Sequence, residues 1–454
     1  MAGFLEKING MVWGVPTLVL ILGVGLYISI RTGFAQFRLF PKALRAFSGA
    51  LRGKSNGNGI SSYQALCTAL AATVGTGNLA GVAGAIAIGG PGAIFWMWVC
   101  GFLGMGTKLA EAVLAIRYRE KTGNGEFVGG PMYMIKNGLG RRTHWLAAVY
   151  CFFGVVASFG VGNATQINTV IGGINSALTA VGGVATSAGN IIMGVGLATL
   201  VTAMLLGGAR KIGVAAEKLV PFASAAYLLL GAVVLIIRAD KIPQAFSSII
   251  MGAFSPRSVT GGILGSSFVA LRIGASRGVF TNEAGMGTAA IAHAAANVKH
   301  PVDQGLMGIM EVFLDTIVIC TMTALVILCS GIQIPYGTDT GITLTSDAFC
   351  AVVGQWVSVP IALALCCFAI ATVLGWGLYG IRCAQYLFGE NAWRTFALAQ
   401  GGMVVIGAIM NTQTVWMLAE CVNALMAIPN LIALAMLTPE LCKIIKTYKM
   451  RPTG

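Results

Sequence analysis

Apolar residues in this chain gather into long runs, with short basic stretches between them. A bilayer core about 30 Å thick needs about 20 predominantly apolar residues per helix. Eleven runs answer to that requirement: residues 12–30, 61–88, 92–116, 145–181, 191–206, 220–237, 259–296, 306–328, 356–387, 393–410 and 415–437. The first is too long for a signal peptide, has no basic stretch before it and leads into a basic loop, so it reads as a span. The pattern predicts an all-α polytopic membrane protein with eleven transmembrane helices.

Two runs are unusually long and rich in glycine. The second reads Ala-Ala-Thr-Val-Gly-Thr-Gly-Asn-Leu-Ala-Gly from Ala71 to Gly81, and the seventh Leu-Arg-Ile-Gly-Ala-Ser-Arg-Gly-Val-Phe from Leu271 to Phe280. They lie five spans apart, so they cross the membrane in opposite directions. With the first span set aside, spans 2–6 and 7–11 form two groups of opposite topology. Each opens on an interrupted helix, which is the mark of an inverted repeat. The division that follows is residues 1–58 for the extra helix and its basic loop, 59–240 and 241–440 for two five-helix repeats, and 441–454 for a basic cytoplasmic tail.

Composition narrows the class. Of 454 residues, 56% are hydrophobic and only 10% are charged, against about 25% in soluble domains. Mean hydropathy is +0.82. A soluble enzyme, a nucleic-acid binder and a disordered chain are excluded. Glycine, at 62 residues beside 13 prolines and without a G-X-Y period, means close helix contacts or broken helices. The net charge of +14 is an orientation signal. With the loop after span 1 placed inside, most of the 29 Lys and Arg fall on the inner side, and Lys7, Arg238, Lys241 and Arg257 fall outside. That puts the N-terminus outside and the C-terminus in the cytoplasm of a bacterial-type plasma membrane. The charge then calls for no nucleic-acid partner. The 11 cysteines are scattered without a CxxC, and the three histidines have no metal spacing.

Several polar groups at span depth carry candidate chemistry. Gly75 and Gly77 each cost about 1 kcal/mol in a helix interior, and Thr76 and Asn78 stand in the same cluster. They favour an unwound segment at Val74–Asn78, whose half-helix N-terminus suits a carboxylate and whose freed carbonyls suit a small cation. Gly77-x-x-x-Gly81 also fits a packing face. A second unwound segment is expected at Arg272–Ser276, around Gly274 and Gly278, with packing again the alternative. Beyond it, Arg277 and Glu283 form either a cytoplasmic gate or a static ion pair.

Asn163 and Gln166 lie one turn apart in span 4; Gln166 either holds an ammonium group or closes a helix–helix bond. Glu311 and Asp315, four residues apart in span 8, each cost about 2.5–3.5 kcal/mol at mid-membrane. They bind a cation, carry a proton, or pair with Arg272 or Lys108. Lys108 and Glu111 are expected to neutralise each other. Thr372 and Trp376 in span 9 offer a hydroxyl to a cation and an indole to cap a small pocket, or else a helix back-bond and an interface tryptophan.

These segments resemble the alanine-or-glycine:cation symporter family. The resemblance rests on Gly-Thr-Gly-Asn (Gly75–Asn78), Gly-Gly-Pro-Met-Tyr-Met (Gly129–Met134), Arg-Gly-Val-Phe-Thr-Asn-Glu-Ala-Gly-Met-Gly (Arg277–Gly287) and Glu-Val-Phe-Leu-Asp-Thr (Glu311–Thr316). Gly-Trp-Gly-Leu-Tyr-Gly (Gly375–Gly380) and Met-Ala-Ile-Pro-Asn-Leu-Ile-Ala-Leu (Met426–Leu434) extend it over nearly the whole chain. The resemblance implies a leucine-transporter-type 5+5 inverted-repeat fold with one extra N-terminal helix, and a substrate site between the broken helices. It implies that Thr76, Gly77 and Asn78 meet an amino acid and that Gln166 approaches its amino end. Ile273 and Gly274 would wall the side-chain pocket, with Val269 one turn above and Trp376 opposite.

For the cation, the resemblance implies carbonyls of Ala71 and Val74 and the hydroxyl of Thr372. Ala371 stands where similar sequences often carry a serine. The expected activity is sodium-coupled symport of alanine or glycine without an organic cofactor. Its partners would be the amino acid, the sodium ion and the lipid bilayer. Proton coupling through Glu311 or Asp315 is the alternative, and a channel would need a continuous polar pore. A membrane enzyme would need a nucleophile–base constellation or metal ligands.

Overall fold

The structure, a computed structural model, describes residues 14–52, 59–123, 125–180, 182–256, 260, 266–338, 341–410 and 412–449. Its described residues form helices joined by turns and loops, with one short antiparallel pair, Glu120–Lys121 with Phe127–Val128, and an isolated bridge between Ile60 and Ala296. Among the described residues, eight helices are long and apolar enough to cross a membrane. They become nine when Ser62–Thr73 and Gly77–Gly89, bent by 52°, count as one span.

The expectation of eleven spans is met more coarsely than stated. Helix occurs in every expected run, but the first is the 17-residue helix Val15–Arg31. The seventh is divided into Ser267–Asn282 and Thr288–Ala294. Residues 12–13 of the first run and most of 259–265 in the seventh lie outside the described residues, as do Lys7, Lys54, Arg257 and Arg451.

The Gly92–Tyr118 helix is the axis of the bundle. Of its apolar window 83% is buried, against 17% for Ser187–Leu205. The first is therefore a core element and the second a peripheral one. On the Gly208–Ile237 helix, Phe222, Leu229 and Ile236 recur every seven residues and are all exposed. An apolar stripe left bare at helical spacing suits contact with lipid.

Local chemistry sets the first break. Ser61 and Gln64 close a capping box at the helix start: Gln64 N–H donates to Ser61 Oγ at 3.0 Å, and Ser61 N–H to Gln64 Oε1 at 3.1 Å. The helix stops at Thr73 because Val74 turns extended (φ −76°, ψ 103°). A continuing helix would send the Gly75 N–H back to Ala71. It donates instead to Asn78 Oδ1 at 2.9 Å. Beyond the gap, Gly77–Gly81 resumes as a π-turn and Val82–Gly89 as α-helix. The break stands where the glycine pair placed it.

The second break stands elsewhere. Arg272–Ser276 lies inside an uninterrupted helix, Ser267–Asn282. There Gly274 and Gly278 do what the packing alternative foresaw. A Cβ on Gly274 would run into the Ala93 carbonyl and the Trp96 side chain, and one on Gly278 would stand 3.1 Å from Cys100 Cβ. Four-residue spacing puts both glycines on one face, pressed against the axial helix. The interruption comes at Glu283–Gly287, where Glu283, Gly285 and Gly287 all take positive φ (53°, 95° and 77°).

Candidate substrate site

The two breaks meet around a narrow, nearly filled space of about 10 Å³, lined by Ala72, Thr73, Gly75, Thr76, Gly77, Val161, Gln166, Phe280, Glu283, Thr372 and Trp376. Thr76, Gly77, Gln166, Thr372 and Trp376 were singled out from the sequence and are brought together here. Thr76 Oγ1 donates to Gln166 Oε1 at 3.3 Å, and Gln166 Nε2 to the Val161 carbonyl at 3.1 Å. Gln166 is thus held across the cavity by its own π-turn, Gly160–Ala164, and by the first break. Thr372 Oγ1 returns a bond to the Phe368 carbonyl at 3.0 Å. It lies so close to the break that a Cβ on Gly75 would stand 2.9 Å from it. Ala71 and Val74, the expected carbonyl donors, are buried beside the lining residues.

Glu283 was read with Arg277 as either a gate or a static ion pair, and the structure places it in the cavity wall. Among the described residues these two side chains do not pair with one another. Glu283 accepts the Trp376 indole N–H at 3.0 Å on Oε1 and the Thr288 hydroxyl at 2.6 Å on Oε2. Its backbone is left-handed (φ 53°, ψ 20°), which costs an L-residue roughly 1–2 kcal/mol. Strain of this kind persists where the surroundings over-determine it, commonly at functional sites. Phe280, one turn earlier, and Val161 also line the space; neither was anticipated. For Phe280 the signal was the Gly285-x-Gly287 pair that follows it. It matches the Gly75-x-Gly77 spacing of the first break better than Gly274 and Gly278 do.

Other expected contacts fall away from the cavity. Val269, Ile273 and Gly274 are not among its lining residues; Ile273 packs on Gly89. Asn78 does not line it either. It is fully buried behind the break, where Nδ2 donates to Asp315 Oδ1 at 2.7 Å and to the Asp315 carbonyl at 3.2 Å. Asp315 Oδ2 accepts from Thr316 Oγ1 at 2.8 Å, and Asn282 Nδ2 donates to Thr316 Oγ1 at 3.1 Å. The π-turn Phe313–Cys320 thereby ties one broken helix to the other. Asn163 closes a helix–helix bond, donating to the Gln400 carbonyl at 2.9 Å.

Lys108 and Glu111 still attract one another, as expected, but each makes its direct contacts elsewhere. Lys108 Nζ donates to Glu311 Oε1 at 2.8 Å, and both side chains are buried. Glu311 Oε2 also meets His293 Nε2 at 2.9 Å. Gln304 Nε2 donates to His293 Nδ1 at 2.7 Å, so Nε2 carries the imidazole proton toward Glu311. Arg272 is exposed and takes no part. Glu111 instead clamps the second break: Oε1 accepts from the Gly285 and Gly287 amides, both at 3.0 Å, and from Asn430 Nδ2 at 2.8 Å. Side-chain direction decides this. Residues three apart on a helix can touch, but Glu111 and Lys108 each find a better-matched partner on another helix.

A membrane-embedded helical bundle whose two interrupted helices enclose a small polar cavity is the architecture of a secondary transporter. Comparison with known proteins agrees. The chain matches the sodium:alanine symporter family over residues 1–453 and belongs to that family. The sodium/alanine symporter AgcS of Methanococcus maripaludis is 43% identical over 440 residues, 95% of this chain and 94% of that protein. The amino-acid carrier protein AlsT of Bacillus subtilis is 38% identical over 439 residues, 96% of this chain and 90% of that protein. An uncharacterised transporter of Haemophilus influenzae is 41% identical over 452 residues, 98% and 96%. Among solved structures, MhsT in complex with L-phenylalanine superposes with a TM-score of 0.57 at 14% identity, over 86% of this chain and 99% of that one. The superposition supports the leucine-transporter-type fold. The chain is a multi-pass membrane protein and an amino acid symporter.

Proposed function

We propose that the protein couples inward movement of a small neutral amino acid, alanine or glycine, to sodium. The observation that carries this is the convergence of Thr76, Gly77, Gln166, Thr372 and Trp376 on one small space at the first break. The substrate carboxylate would meet Thr76 and the half-helix start at Gly77, with Trp376 and Phe280 closing over a short side chain. Sodium, carried as cargo, would use carbonyls of Ala71 and Val74 with the Thr372 hydroxyl, a hard-oxygen set that suits it. The extended backbone at Val74 supports this, because it takes that carbonyl out of the helical ladder. Sodium would stabilise the outward-facing occupied form and so shift the alternating-access equilibrium. The arrangement proposed is eleven spans, with 59–240 and 241–440 as opposed repeats, the N-terminus outside and the C-terminus in the cytoplasm.

The test is counterflow of labelled alanine in proteoliposomes, with and without sodium at fixed pH. Sodium-dependent exchange is expected, and Gln166→Ala should abolish it while the protein still inserts. Exchange driven equally well by a proton gradient without sodium would refute sodium coupling.

Gly162 gives a second check. A Cβ there would overlap the Trp376 side chain, coming within 2.9 Å of Cδ2. Gly162→Ala should push the indole into the cavity, at a cost of roughly 1–3 kcal/mol for overpacking. The initial rate of alanine uptake should fall at least tenfold. An unchanged rate would mean that Trp376 does not bound the site.

A further inference from the structure

Of the residues lining the cavity, Glu283 alone is ionisable. It is 3% exposed. Its side-chain hydrogen bonds to Trp376 and Thr288 both come from neutral donors. The buried Lys108 is bonded to Glu311 instead. A carboxylate held in a cavity wall by neutral donors disfavours anything negative entering beside it and favours a positive group. Each carboxylate oxygen keeps acceptor capacity after one hydrogen bond.

We infer that Glu283 is the counter-charge for the α-ammonium group of the substrate. This rests on the amino acid symport proposed above and deepens it by naming what reads the ammonium end. Gln166 offers no formal charge, and its oxygen and nitrogen already bond to Thr76 and Val161. The bound zwitterion lies with its carboxylate toward Thr76 and Gly77 and its ammonium toward Glu283. The left-handed backbone at Glu283 is an independent pointer. Two neighbouring positive-φ positions, 285 and 287, are glycine, whereas 283 carries a side chain in spite of the strain. The consequence is selectivity: a carboxylate without an ammonium, such as lactate, is refused.

Glu283→Gln tests this with little change of shape, because the amide oxygen still accepts from Trp376 and the amide nitrogen still reaches Thr288. In proteoliposomes at saturating sodium, the alanine KM should rise at least tenfold. L-lactate in excess, inert toward the wild type, should begin to compete. Glu283→Asp, which keeps the charge, should still refuse lactate.

Two results with Glu283→Gln would overturn the inference. One is a wild-type alanine KM in Glu283→Gln. The other is an alanine KM unchanged at saturating sodium while half-saturation by sodium shifts, which would give Glu283 to the cation. Competition on the wild type needs no variant: lactate or N-acetylalanine inhibiting as well as alanine would equally overturn it. A wild type without sodium-dependent alanine uptake would remove the symport reading itself, an outcome distinct from failure of the Glu283 assignment.

Discussion

Replacing Lys108 by methionine is expected to destabilise the protein by about 3–5 kcal/mol, the cost of leaving one member of a buried ion pair without its partner. Lys108 and Glu311 are both buried, and their contact is 2.8 Å. Without the lysine, Glu311 keeps only His293, whose imidazole proton is already directed to it. A carboxylate in that position cannot recruit water, so it must take up a proton or drag solvent into the bundle. Thermal unfolding of purified protein in detergent should show a much lower midpoint for Lys108→Met. The double variant Lys108→Met, Glu311→Gln should recover most of the loss, because no charge then remains uncompensated. If Lys108→Met melts like the wild type, the pair does not hold the bundle together.

Asn78→Ala should reduce alanine uptake at least a hundredfold without abolishing membrane insertion, although Asn78 does not line the cavity. Its side chain accepts from the Gly75 amide and donates to the Asp315 carboxylate and carbonyl, all of them buried. Alanine removes these bonds and leaves a buried N–H and a carboxylate oxygen without that partner, at roughly 1–3 kcal/mol for each group and more for the charged one. The unwound geometry at Val74–Gly77 depends on the first of these bonds. Transport should therefore fall through loss of shape in the break. Initial uptake rates in proteoliposomes, normalised to inserted protein, would show it. Normal uptake would mean that the break keeps its form without the asparagine.

The two interrupted helices show how far the chain's own pattern carries. Gly75 and Gly77, two apart, weaken a helix locally, with polar neighbours at hand to take the freed backbone groups. That break is a local property, and it lies where the residues put it. Gly274 and Gly278, four apart, share a helix face, and what they do depends on the neighbour. The axial helix presses against them at Ala93, Trp96 and Cys100, so they pack. The second break was equally local, at Gly285 and Gly287, but a charged residue in a left-handed turn is not expected from propensity. Of the residues the resemblance named, Thr76, Gly77, Gln166, Thr372 and Trp376 line one space. The resemblance did not show that Asn78 and Gly274 face the other way.

The sequence alone determined the membrane class, the helical character of the apolar runs and the first unwound segment. Each follows from properties that act along a short stretch of chain: enough apolar residues to cross hydrocarbon, and glycines too close together to sustain a helix. Only the tertiary structure decided the partners of the buried charges. Lys108 went to Glu311, Glu111 to the amides of the second break, Asp315 to Asn78, and Glu283 to Trp376 and the cavity. In a low-dielectric interior every charge must find donors or an opposite charge within about 3 Å. Which group stands at that distance is set by how several helices pack, and no one segment of the chain contains that information.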